Sequence, residues 1–224
     1  MCYKNPVLAF ADIQTFLYCT IVCTIYMNKA VFFDRDGTIN EMVFEKDEGI
    51  VHTPLTPDQV VLDHGIIALL RTTKKLGYLN IVVSNQANVG LGRISRKMHE
   101  KINQTINRQL DKENVRFDKE YYCFHHPFAK VKEYRKDCDC RKPKAGLFRQ
   151  AAKELDIDLK KSWMIGDGVF DIVAGHQAGC KTILIANVYE SSYLSLMEKK
   201  LSNIQPDFMV RNVKDIIPIF NAQS

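Results

Sequence analysis

Two aspartates two positions apart, in the run Asp34-Arg35-Asp36-Gly37-Thr38, follow directly on four apolar residues, Ala30-Val31-Phe32-Phe33. Carboxylates at that spacing can divide the labour of a group transfer, one attacking phosphorus while the other handles the proton of the leaving group. A calcium loop is a poor account of the run, because an EF-hand starting at Asp34 needs glycine at its sixth position, where Ile39 stands. On this segment alone a plain polar turn remains the alternative.

Four further constellations carry chemistry. Gly166-Asp167, with Asp171 four residues on, ends the apolar run Trp163-Met164-Ile165. Another acid at a strand end is what a Mg²⁺ site shared with Asp34 would need, although an aspartate after glycine also reads as a turn or helix cap. Ser84-Asn85-Gln86 follows an apolar strand, where a hydroxyl and backbone N–H groups at a helix entrance can bind phosphate oxygens. Read alone, it is a polar loop between strand and helix. Lys142, in Arg141-Lys142-Pro143, is a cation able to neutralise a phosphoryl group in flight, or else a solvated loop residue. Finally, Cys123-Phe124-His125 and Cys138-Asp139-Cys140 bring three thiols and an imidazole, the ligand count of a tetrahedral structural zinc site with no position left for a substrate water. Chance clustering or a disulfide is the alternative, and His126 competes with His125 as the imidazole.

These residues need a scaffold that gathers strand ends. From Ala30 onward short apolar runs alternate with amphipathic stretches of helical length, the pattern of βαβ units around a parallel sheet. Strands are predicted at 29–33, 78–84, 121–124, 162–165, 182–185 and 207–210. Helices are predicted at 63–76, from a Ser95 cap to about Leu110, and at 145–155, 169–178 and 212–220. Segments 40–59 and 127–144 fit no element. In an open α/β sheet ligands sit outside the carboxyl ends of the strands, so these two inserts are where specificity should reside.

With 224 residues, 46% hydrophobic and 25% charged, the chain is long enough for one sizeable core. A net charge of +5 with Lys and Arg scattered among acids suits an anionic substrate and forms no basic stripe. Seven cysteines, three of them close together beside a histidine, fit a reducing compartment and a metal site better than a disulfide framework. The apolar stretch 7–26 resembles a membrane segment, but Asp12 and Gln14 interrupt it. A central aspartate costs about 2.5 to 3.5 kcal/mol on insertion, and the uninterrupted remainder is shorter than the roughly 20 residues a bilayer requires. Residues 1–26 are therefore expected to be an extension ahead of a catalytic domain spanning 27–224, with Met27 a candidate start.

Taken together, Asp34-Arg35-Asp36-Gly37-Thr38-Ile39-Asn40, Ser84-Asn85-Gln86, Cys123-x-His125 with Cys138-x-Cys140-Arg141-Lys142-Pro143, and Gly166-Asp167 resemble one family in order and spacing, over about residues 29 to 187. It is that of the D-glycero-D-manno-heptose 1,7-bisphosphate phosphatases and related histidinol-phosphatases of the haloacid dehalogenase superfamily. The resemblance implies a Rossmann-like parallel sheet with helices on both faces and a zinc-stabilised loop instead of a large cap domain. It implies Asp34 as nucleophile, Asp36 as acid/base, Ser84 and Lys142 as grips on the phosphoryl group, and Asn85, Gln86 and Arg141 as substrate contacts. Mg²⁺ would be held by Asp34, the Asp36 backbone carbonyl and Asp167, and Zn²⁺ by Cys123, His125, Cys138 and Cys140. Three departures are visible: Glu41 to Glu45 differ and the insert to Pro57 is longer; Gly168 stands where the family commonly has Lys; and Ala87-Asn88 replaces Ser-Gly.

The expected function is Mg²⁺-dependent hydrolysis of a small sugar phosphate, a heptose 1,7-bisphosphate first and histidinol phosphate second, by a cytoplasmic monomer with no nucleic-acid or membrane partner. A zinc-containing nucleic-acid-binding module is the rival from another class; it predicts salt-sensitive binding indifferent to Asp34→Asn and leaves Asp36 and Asp167 without a purpose. A catalytically dead scaffold is the third reading, with Gly168 its only hint.

Overall fold

A computed structural model describes residues 27–186, 201 and 203–222. The stretch 7–26 weighed as a membrane segment lies outside them, and among the described residues no helix is long and apolar enough to cross a membrane. The strands are β1 (Lys29–Phe33), β2 (Val43–Glu45), β3 (Ile50–His52), β4 (Tyr78–Asn85), β5 (Lys119–Cys123), β6 (Trp163–Gly166), β7 (Lys181–Ile185) and β8 (Phe208–Val210). The helices are α1 (Ile66–Lys75), α2 (Ala87–Gly90), α3 (Arg96–Lys112), α4 (Gly146–Leu155), α5 (Val169–Ala178) and α6 (Ile217–Asn221).

Six strands pair in the order β5-β4-β1-β6-β7-β8, every pairing parallel, while β2 and β3 make a separate antiparallel hairpin. The period-2 pleat of β1 explains why it is apolar throughout: Val31 and Phe33 enter one core cluster, Ala30 and Phe32 the other. On the first face α1, α3 and α6 contribute Ile66, Leu69, Leu70, Ile102, Ile106 and Phe220. On the second, α4 and α5 contribute Phe148, Ala151 and Ala174, and the Phe148 ring sits 4.9 Å from that of Phe32. The expected parallel sheet with helices on both faces is what forms.

Boundaries differ where local hydrogen bonds outweigh periodicity. Helix α1 starts at Ile66 rather than 63, because the Asp63 carboxylate accepts from the Gly65 N–H at 2.7 Å and makes a turn of Asp63-His64-Gly65. Strand β5 starts at Lys119 because Asp118 clamps it to β4, exchanging bonds with the Asn80 N–H and C=O at 2.8 Å each. Segment 40–59 is not structureless: it carries the hairpin β2–β3, whose three-residue strands are too short to show a period. The expected last helix divides into a 3-10 turn, Val213–Ile216, and α6, whose Pro218 lacks the N–H that an unbroken helix would use. Ser95 does cap α3, accepting from the Met98 N–H at 3.0 Å.

The core predicts its own test. Phe148→Ala removes a fully buried ring and should cost about 3 to 5 kcal/mol in urea unfolding. Phe128→Ala, at a ring 82% exposed, should leave the midpoint where it is.

Candidate active site

Strand order reverses at β1, with β4 on one side and β6 on the other, so the carboxyl ends of these three strands open onto a common crevice. Asp34 follows β1 there, its N–H donating to Ile165 O of β6 at 2.9 Å. The loop after it doubles back on Gly37, which has φ +83° and no room for a Cβ, since one would overlap the Asp167 carboxylate. This close approach brings Asp34, Asp167 and Asp171 together, each offering a carboxylate oxygen within 4.8 Å of the others.

Lys142 enters the same cluster from the 127–144 segment. Its ammonium, 2% exposed, donates to Asp34 Oδ1 at 2.8 Å and Val83 O at 2.7 Å and pairs with Asp171 Oδ1. Burial opposes its charge, but the fields of Asp171 and Asp34 outweigh burial and hold its pKa above the ordinary lysine value. Asp171, buried, is pushed up to about 6 by desolvation, with Lys142 opposing and Asp34 adding to the rise. Asp167 is pushed well above the carboxylate range by desolvation first, then by Asp34 and Asp171. Three carboxylates face one ammonium, a formal surplus of two negative charges when all are ionised. That donor set of carboxylate oxygens fits a hard divalent cation of the Mg²⁺ kind.

The second aspartate of the motif turns elsewhere. Asp36 accepts from Arg35 Nε at 3.1 Å and Nη2 at 2.9 Å, from Asn40 Nδ2 at 3.1 Å and from Gln86 Nε2 at 2.9 Å. Gln86 also donates to Ser84 Oγ at 3.0 Å, so it ties the end of β4 to the Asp36 loop. Asn85 has its amide committed to the backbone of Lys142: Nδ2 donates to Lys142 O at 2.9 Å, and Oδ1 accepts from Lys142 N at 3.0 Å. In this arrangement Asn85 positions the lysine. Arg141 donates to His125 O at 3.1 Å, between the crevice and the thiol cluster. Asp171 was visible in sequence only as an acid four residues past Asp167. Its pairing with Lys142 joins separate segments, and no local pattern encodes that.

At the end of β5 the four atoms Cys123 Sγ, His125 Nδ1, Cys138 Sγ and Cys140 Sγ converge. Cys123 lies 3.6 Å from His125, 3.6 Å from Cys138 and 3.3 Å from Cys140; Cys140 lies 3.2 Å from both Cys138 and His125. A disulfide bond length of about 2.05 Å rules out covalent pairing at these distances. They approach the edges of a tetrahedron, about 3.8 Å, around an ion with Zn–S bonds of about 2.3 Å. His126 is turned away, its Nδ1 accepting from the Phe128 N–H at 3.1 Å. Cys140 is driven down to about 5, chiefly by its hydrogen bond with Cys123, whose own thiol is driven up by the same bond. Thiolate formation in such a cluster is what zinc binding requires.

A family model described as HAD-hydrolase-like matches residues 139–216. The D-glycero-beta-D-manno-heptose-1,7-bisphosphate 7-phosphatase of Haemophilus influenzae is 43% identical over 155 residues, 69% of this chain and 79% of that protein. Its counterpart in Haemophilus ducreyi is 36% identical over 194 residues, 86% and 98% of the two chains. The crystal structure of D,D-heptose 1,7-bisphosphate phosphatase from B. bronchiseptica, complexed with magnesium and phosphate, shares the fold with a TM-score of 0.69 at 21% identity, over 88% of this chain and 99% of that one. With relatives this similar over this much of their length, the chain belongs to the haloacid dehalogenase-like phosphatases, in the family of the D-glycero-β-D-manno-heptose-1,7-bisphosphate 7-phosphatases.

Proposed function

We propose that this chain hydrolyses D-glycero-β-D-manno-heptose 1,7-bisphosphate at its 7-phosphate, with Asp34 as nucleophile. The observation that carries the reading is the Asp34 carboxylate, 15% exposed and held by buried Lys142 at 2.8 Å beside Asp167. Tethering Oδ1 to a fixed cation leaves the other oxygen to approach phosphorus in line, and the same ammonium can neutralise charge on the phosphoryl oxygens. The names of the relatives support the substrate.

In the first half of the reaction an Asp34 oxygen bonds to phosphorus, the bond to the leaving oxygen breaks, and the proton of Asp36 ends on that oxygen to release the alcohol. In the second half a water oxygen bonds to phosphorus, a proton of that water passes to Asp36, and the bond to Asp34 breaks to release inorganic phosphate. Mg²⁺, bound by the Asp34 and Asp167 side chains and the Asp36 backbone carbonyl, would supply charge neutralisation at the phosphoryl group. Ser84, its hydroxyl oriented by the Gln86 amide, would hold a phosphoryl oxygen, and Arg141 would meet the rest of the sugar bisphosphate. Zn²⁺ would be structural, bound by Cys123, His125, Cys138 and Cys140, closing the loop that delivers Lys142 in the place of a large cap. The reading is of a cytoplasmic monomer whose catalytic domain starts at Met27; the thiols of Cys123, Cys138, Cys140 and Cys180 are free.

Phosphate release from the heptose bisphosphate and a panel that includes histidinol phosphate should depend on Mg²⁺ and fall by at least about 10⁴-fold in Asp34→Asn. Release that survives that change sinks the nucleophile assignment, and a preference for histidinol phosphate changes the substrate. Mass spectrometry should find about one zinc per chain. Cys138→Ser should lose the zinc and lower both the melting temperature and turnover, because the loop that carries Lys142 is then untied.

A further inference from the structure

Arg35 stands between the two aspartates in sequence and is only 1% exposed. Its backbone carbonyl closes the turn, accepting from the N–H groups of Ile39 at 2.8 Å and Asn40 at 3.1 Å. Its side chain grips Asp36 edge-on, one N–H to each carboxylate oxygen, and these are the hydrogen bonds its guanidinium makes among the described residues. The third nitrogen, Nη1, is buried with no hydrogen-bond partner among the described residues. The guanidinium also acts on His99, which burial first and Arg35 second hold neutral, with a pKa of about 3. That neighbour takes no share of the guanidinium's charge. Burying an arginine for a single carboxylate is a poor stability device, since desolvation consumes most of the attraction.

Asp36 has three holders with different freedoms. Asn40 and Gln86 carry neutral amides that can turn and present oxygen instead of nitrogen, and Asn40 Oδ1 is already a buried acceptor without a partner among the described residues. Such groups can hold the carboxylate in either protonation state. Arg35 can only donate, through a rigid planar fork. It supplies the fixed direction while the amides adapt to the proton.

We propose that Arg35 is the positioning residue for Asp36, fixing the line along which the proton moves to the leaving oxygen and from water. The inference rests on the acid/base reading of Asp36. The alternative is that the ion pair merely holds the loop together.

The test compares wild type with Asp36→Asn, Arg35→Gln, Arg35→Lys and the double variant Arg35→Gln/Asp36→Asn, each checked by thermal melting. With p-nitrophenyl phosphate, whose leaving group departs without a proton, Arg35→Gln should release about one p-nitrophenol per chain in a burst. Steady turnover should then run about 100-fold slower than wild type, as in Asp36→Asn. On the heptose bisphosphate kcat should fall about 100-fold with KM little changed, Arg35→Lys should be intermediate, and the double variant should be no slower than Asp36→Asn alone. Asp36→Asn with wild-type turnover on the bisphosphate overturns the acid/base reading itself. A slow Asp36→Asn beside Arg35 variants of wild-type turnover, or additive losses in the double variant, overturns the positioning role alone. Failure of both Arg35 variants to fold also overturns it and assigns the residue to the scaffold.

Discussion

The ammonium of Lys142 carries its charge at 2% exposure, and three acceptors make that tenable: Asp34, Asp171 and the Val83 carbonyl. These come from the ends of β1 and β4 and the first turn of α5, so one cation ties together segments that the chain places far apart. Removing one partner of such a buried pair typically costs about 3 to 5 kcal/mol, because the charge left behind cannot recover its hydration. The lysine also depends on its own segment. Asn85 holds both its backbone groups, and Cys140 lies two positions before it, within the thiol and imidazole cluster. The cluster at the end of β5 and the carboxylates at the end of β1 are thus coupled mechanically through a few residues.

The two aspartates of the motif share one charge type and one short loop, yet the fold gives them separate counter-ions. Asp34 has Lys142 and faces Asp167 across the turn at Gly37; Asp36 has Arg35 and two amides. Separate partners are a physical basis for separate roles, since carboxylates in one environment would compete for one proton. The electrostatic surplus is concentrated on the Asp34 side, where desolvation and mutual repulsion raise Asp167 and Asp171. A divalent cation there would relieve that repulsion, whereas Asp36 has a guanidinium of its own.

Much of the scaffold could be read directly. Strand β1 and helix α5 have the bounds that periodicity predicts, because a continuous apolar run on a doubly covered sheet and an apolar helix behind Asp167 leave little choice. The serine cap of α3 was equally legible, since capping is a local contact. The hairpin β2–β3 was not, as three-residue strands carry no period and Phe44, Ile50 and Val51 remain exposed. The start of α1 was missed because an aspartate side chain, rather than the hydrophobic pattern, decides it.

By itself the sequence determined which chemistry is available: carboxylates placed immediately after apolar strands, a lysine before a proline, and thiols in close pairs, all properties of neighbouring residues. Tertiary structure alone decided the partnerships. It turned Asn85 toward the Lys142 backbone, joined Lys142 to Asp171, and gave Arg35 to Asp36. The physical reason is that such bonds depend on direction and on exclusion of water over a few ångströms. Strand order and helix packing set both, and no spacing along the chain records them.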